Sequence, residues 1–143
     1  MKEVRSEVEI NAPSERVWHV LTDFGTFGEW NPVIPQISGN LAPGGELELH
    51  MNRPGMSPKR GVRHVEAVEP QQEMRWRMGS AMPVMFNGRE VLSIEPAGEN
   101  SVKFIYTQRF AGLLLPFMGK AMSAAERSAE EMAQALKKSA ESI

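Results

Sequence analysis

SVKFIYTQRFAG, residues 101–112, runs directly into LLLPFMGKAMSAAERSAEEMAQALKKSAESI, residues 113–143, and the spacing of apolar residues changes at the junction. Up to Phe110 the spacing is two. Val102, Phe104, Tyr106 and Phe110 share one face, which Gln108 joins, as in a strand with one buried side. After Gly112 the period lengthens to about 3.6. Met118, Ala121, Met122, Ala125, Ala129, Met132, Leu136 and Ile143 recur at steps of three and four, with Lys, Arg and Glu opposite. A helix of about 25 residues rises close to 40 Å, enough to cross a whole domain. Its alanines allow it to lie close to a sheet, while Phe117, Met118 and Met122 give its beginning bulky, adaptable surface.

The same period-two pattern recurs upstream. Val4, Ser6, Val8 and Ile10 alternate with charged residues, so the chain opens with a strand. Asn11-Ala-Pro-Ser14 breaks it, and a helix follows to about Thr22, with Pro13 in its first turn, Asn11 or Ser14 as cap, and Val17, Trp18 and Leu21 as its docked stripe. A second, very short helix fits residues 23–32, where two glycines turn the chain and three aromatics anchor it. Strands are expected at 36–41, 46–51, 61–69, 73–78, 86–95 and 101–110, separated by Gly, Pro, Asn and Ser. The order is β-α-α-β6-α. Hairpin-connected strands make an antiparallel sheet whose apolar face must be covered, and only the C-terminal helix is long enough. The fold class is therefore α+β: one domain over residues 1–143, a curved seven-stranded sheet around a long helix. A twisted sheet curls, and one helix does not fill its concave side, so an apolar cavity is expected between them.

Composition narrows the function. The chain has 143 residues with 41% hydrophobic and 24% charged, an ordinary single-domain balance. It has no Cys, which excludes disulfides, thiolate nucleophiles and zinc-thiolate sites. The net charge is −2 with the 16 basic residues scattered along the sequence, so nucleic acid is not an expected partner. The longest apolar run, Leu113–Met118, is interrupted by Pro116 and is far too short to span a bilayer, and the N-terminus lacks the apolar stretch of a signal peptide. A soluble, cytoplasmic protein without stable membrane insertion is the expectation.

Four stretches together resemble a known family: VEINAPSERVW (8–18), Asp23 followed by EWNP (29–32), VEAVEP (65–70) with MRW (74–76), and QRFAGL (108–113). They look like the START-like superfamily, also labelled SRPBCC, and within it the polyketide cyclase/dehydrase-like branch. The resemblance covers essentially the whole chain. It implies the helix-grip fold and an apolar small-molecule ligand, lipid-like or polyketide-like. Relatives range from lipid-transfer domains and aromatase/cyclases to ring-hydroxylating oxygenase domains and co-chaperones. The iron and iron–sulfur ligands of the oxygenases are missing here, so no cofactor is implied.

Alternation points several polar side chains inward. If Leu92 and Ile94 face the cavity, so does Glu90; if Phe104, Tyr106 and Phe110 do, so does Gln108; Arg63 shares a face with Val65 and Ala67. A carboxylate in an apolar site has a raised pKa unless it is paired, which would make Glu90 the one catalytic candidate, an acid/base for a cyclase or dehydratase. The other reading is a satisfied polar cluster that orients a ligand or serves the fold. Trp30 either lines the pocket or plugs the sheet edge. Trp76, flanked by Met74 and Met78, reads as pocket floor, and Met51, Phe110, Phe117, Met118 and Met122 complete the expected ligand-binding wall. Residues 112–119 serve as core packing, as an entrance flap or as a membrane-touching tip. His19, His50 and His64 have no paired spacing, so no metal site is expected. A protein-binding, co-chaperone-like groove is a third possible role.

Overall fold

A computed structural model describes residues 1–79 and 81–142. The strands are β1 (Lys2–Ile10), β2 (Gln36–Gly39), β3 (Glu46–Met51), β4 (Lys59–Glu69), β5 (Glu73–Met78), β6 (Asn87–Gly98) and β7 (Ser101–Ala111). The helices are α1 (Ser14–Thr22), α2 (Phe27–Trp30) and α3 (Gly119–Glu141), with short 3-10 turns at Phe24–Thr26 and Leu115–Phe117. β2 through β7 form a meander in which each strand pairs with the next, and β1 closes the far edge on β7, giving the order β1-β7-β6-β5-β4-β3-β2. Every pairing is antiparallel. The expected α+β architecture, with its long terminal helix, is the one observed.

α3 buries Met122, Ala124, Ala125, Ser128, Ala129, Met132, Ala133, Leu136 and Ala140. It lies mainly along β1 and also touches β7, α1 and α2. The alanines permit this approach, since a helix with larger side chains there would stand farther off the strand. Two polar clasps fix its C-terminal end: Lys137 Nζ donates to the Glu9 carbonyl at 2.7 Å, and the Asn11 N–H donates to the Glu141 carboxylate at 2.8 Å. Ile143, expected on the same stripe, lies outside the described residues.

Four expectations need correction. α1 has Pro13 at its N-cap with no side-chain cap, because Pro13 occupies the position that Asn11 or Ser14 would need. Its docked stripe is Val17, Val20 and Leu21, and Trp18 is only half-buried. A bulge between Val65 and Ala67 reverses the facing of β4, so Val68 stands opposite the inward Met74 while Ala67 stands opposite the outward Arg75. The fourth correction concerns the cavity. A residue lining a guest-sized void keeps surface that a water-sized probe reaches, yet Met74, Trp76, Leu92, Phe104, Phe110, Met132 and Leu136 are each no more than 1% exposed. The middle of the sheet–helix interface is filled by its own side chains.

Surface remains at the end of the sheet that carries the β3–β4, β5–β6 and β7–α3 connections. Leu113 N–H donates to the Val84 carbonyl at 3.1 Å and Leu114 N–H to the Met85 carbonyl at 2.9 Å, which ties two of these loops together. Met56, Met82, Val84, Leu113, Leu114 and Phe117 are all exposed there.

Candidate functional site

Antiparallel register sets the site. Trp76 on β5 stands directly opposite Glu90 on β6, which stands directly opposite Gln108 on β7. Arg63 arrives from β4 and Tyr106 from the neighbouring inward position of β7. All five are no more than 4% exposed, in a face otherwise built of Leu, Met and Phe.

Glu90 is the centre. Its Oε1 accepts from Arg63 Nε at 2.5 Å and from Trp76 Nε1 at 3.1 Å. Its Oε2 accepts a short hydrogen bond from the Tyr106 hydroxyl and another from Gln108 Nε2 at 3.1 Å. Those four donors match the four lone-pair directions of a carboxylate. Burial is the largest single influence on Glu90 and acts to raise its pKa. The charge of Arg63 and the hydrogen bonds from Tyr106, Arg63 and Gln108 together outweigh it, so the carboxyl is held below its ordinary value. Burial first, then the Glu90 charge and hydrogen bond, push the Tyr106 phenol well above its ordinary value, so it remains a donor. The condition for a raised Glu90 pKa, an unpaired carboxylate, is not met. With both oxygens occupied and the anion stabilised, Glu90 is poorly placed to move protons and well placed to organise its neighbours.

Two atoms of the cluster are left over. Gln108 Oε1 is buried without a hydrogen-bond partner among the described residues. Arg63 Nη1 donates to the Val62 carbonyl at 3.2 Å, but among the described residues Nη2 bonds only to the Met51 sulfur, at 3.4 Å. A thioether is a weak acceptor, so this guanidinium nitrogen retains hydrogen-bonding capacity.

The expected wall residues divide. Met51 lies against Arg63, and Phe110 stacks on Phe86 with ring centroids 5.8 Å apart. Met78 reaches Phe110 across Gly88, where a Cβ would come within 2.5 Å of the Met78 sulfur and 3.0 Å of the Phe110 ring. Gly61 makes similar room for Met51, whose methyl would lie 2.8 Å from a Cβ there. These two glycines were not singled out from sequence, although glycine inside an alternating strand is a signal of close approach. Met122 is buried and Met118, capping α3, is half-buried. Phe117 departs from expectation: at 85% exposed it is part of the loop surface and no pocket wall. Trp30 packs edge-on against Phe27 at 5.1 Å as part of the aromatic anchor of α2, with its Nε1 buried and without a hydrogen-bond partner among the described residues. Trp76, expected as floor, is in addition a donor to Glu90.

A cleft of about 460 Å³ opens beside Met51, Arg63 and Met78, bounded also by Arg53, Gly79 and the outward side chains of β3 and β4. Among the described residues no group of three His, Asp or Glu is arranged to hold a metal ion. Nor is any helix there long and apolar enough to cross a membrane.

Residues 1–141 match the family model described as polyketide cyclase/dehydrase and lipid transport. No curated protein sequence matches the chain. Among solved structures, the chain is similar to the Zhui aromatase/cyclase from Streptomyces sp. R1128, with a TM-score of 0.81 at 15% identity over 98% of this chain and 93% of that one. A START superfamily protein from Mycobacterium smegmatis superposes with a TM-score of 0.78 at 21% identity, covering 98% of this chain and 97% of that one. Norcoclaurine synthase from Thalictrum flavum, solved with dopamine and hydroxybenzaldehyde, gives 0.70 at 16% identity, covering 96% and 84%. At these identities the likeness is one of fold.

Proposed function

Since the chain belongs to the polyketide cyclase/dehydrase and lipid transport family, we propose that it binds an apolar small molecule, lipid-like or polyketide-like, at the inner face of its sheet, without transforming it. The observation that carries this reading is the unpartnered Gln108 Oε1, beside an Arg63 whose Nη2 donates to the weak acceptor Met51 Sδ, in a polar cluster set within an apolar face. A buried unpaired carbonyl costs about 1–3 kcal/mol, which a ligand hydroxyl or amide would recover. Arg63 Nη2 offers the complementary donor for a ligand carbonyl or carboxylate. Such a ligand would be oily along most of its length and polar at one end.

The closed interior requires that the guest make its own room. Met51 and Met78 border the same cleft as Arg63, and unbranched thioethers swing aside at low cost. The cyclase reading asks Glu90 to accept a proton, which its four existing donors oppose. No specific observation favours the co-chaperone-like role.

Titration with palmitate and with a tricyclic aromatic ketone, followed by tryptophan fluorescence, tests the proposal, because Trp76 is hydrogen-bonded to the cluster that the guest would join. Saturable quenching is expected, together with a co-purifying mass in native mass spectrometry. Gln108→Leu should weaken binding about tenfold, the loss of one hydrogen bond to a buried partner. No saturable response to either probe and no bound mass would overturn it.

A further inference from the structure

The opposite face of the same strands carries a feature that an apolar-ligand protein does not need. Arg77 on β5, Arg89 on β6 and Arg109 on β7 stand directly opposite one another in register, a row of three guanidinium groups across three adjacent strands. His64 extends the row on β4, opposite Arg77. Like charges directly opposite on a sheet face destabilise it, so the row opposes folding rather than supporting it. Two carboxylates offset part of the charge: Glu66 lies 3.5 Å from Arg89 Nε and Glu3 lies 3.2 Å from Arg109 Nε. Both approach Nε, and among the described residues no hydrogen bond is made by the Nη nitrogens of either arginine. Arg77 has no ion pair among those residues.

These arginines line a groove of about 570 Å³. Thr107, opposite Val91 in the adjacent row, adds a hydroxyl to the lining, Val91 and Pro83 add apolar surface, and none of the lining residues is Asp or Glu. Glu66 and Glu3 pair with two of these cations from outside the lining, so in a chain of net charge −2 the groove keeps a positive balance that centres on Arg77, which has no ion pair among the described residues.

We propose that this groove on the outer face of β5, β6 and β7 is a second binding site, for the phosphate or diphosphate group of a small molecule whose remaining part is apolar. Guanidinium forks match phosphate oxygens bidentately, and adjacent forks in register can share two phosphates in line. The surface of Val91 and Pro83 gives the apolar part a place to lie. A free phosphate ester and a phospholipid headgroup present the same chemistry to the groove, and the test separates them. Met78 and Phe110 of the inner wall also border this groove, but its three arginines share no contact with the Glu90 cluster, so substituting them tests the groove apart from the inner-face ligand.

Isothermal titration with inorganic pyrophosphate at low ionic strength, and co-sedimentation with phosphatidylcholine vesicles doped with phosphatidylglycerol, are run on the wild type and on the triple variant Arg77→Gln/Arg89→Gln/Arg109→Gln. Arg75→Gln serves as control, because Arg75 lies on β5, pairs with Glu73 and is not part of the groove. Saturable binding of pyrophosphate that weakens with salt, drops about tenfold or more in the triple variant and holds in the control is the expected result for a soluble ester. The same pattern with vesicles alone assigns the phosphate to a headgroup. Circular dichroism confirms that the triple variant is folded, and the single variant Arg89→Gln, expected to bind more weakly than wild type, replaces it if it is not. No binding of either probe, or binding unchanged in the folded variant, overturns the proposal.

Discussion

Glu90 shows how much a single residue's meaning depends on what surrounds it. Replacing it with Gln keeps its shape but strands the charge of Arg63, a residue only 2% exposed. Breaking a buried ion pair in this way costs about 3–5 kcal/mol, so Glu90→Gln should lower stability by that amount in urea unfolding. The pH dependence has a definite sign. The folded carboxyl is held below the ordinary value of 4.5, so its contribution to stability is fully present above that value. It is lost as pH falls toward and through the folded pKa, because the unfolded chain takes up the proton first. Wild-type stability should therefore decline on the acid side more steeply than that of Glu90→Gln, which thermal melts below pH 5 would show, as this range lies about the ordinary carboxylate pKa. Alternation in the sequence placed Arg63, Glu90, Tyr106 and Gln108 on the inner face. It did not show that Trp76 Nε1 is the fourth donor, because facing is a property of one strand and hydrogen bonding depends on the distance between two.

At the scale of elements, periodicity was enough for every strand and for the body of α3; its expected first turn, from Pro116, is instead a separate 3-10 turn at Leu115–Phe117, and the helix begins at Gly119. The departures come from backbone detail. The bulge in β4 reassigned Ala67, and nothing in VEAVEP distinguishes a bulged strand from a regular one. The turn from β7 into α3 depends on Gly112, whose φ is 129° and whose pro-Cβ direction runs into the Met85 carbonyl. An L side chain fits neither that dihedral nor that space. Gly112→Ala is expected to cost more than about 1 kcal/mol and to loosen the bond between Leu114 N–H and the Met85 carbonyl, which amide hydrogen exchange at Leu114 would report.

Across the whole molecule, the loop end is the part least committed to stability. Leu113 and Phe117 are 66% and 85% exposed, so Leu113→Ser/Phe117→Ser should change unfolding free energy by no more than about 0.5 kcal/mol per site. Sedimentation velocity of the pair against wild type would show whether that apolar rim drives self-association, and thermal melts would check the stability. The order of strands and helices, the single layer of helix on sheet and the inward polar residues followed from the sequence alone, because the periods of two and 3.6 state which face of each element avoids water. Two things were settled only by the tertiary structure. The carboxylate at Glu90 became a saturated anion instead of a raised-pKa acid, since four donors converge on it from three neighbouring strands. The space beneath α3 closed, since hydrophobic pattern says which side chains meet but not how tightly their volumes interlock.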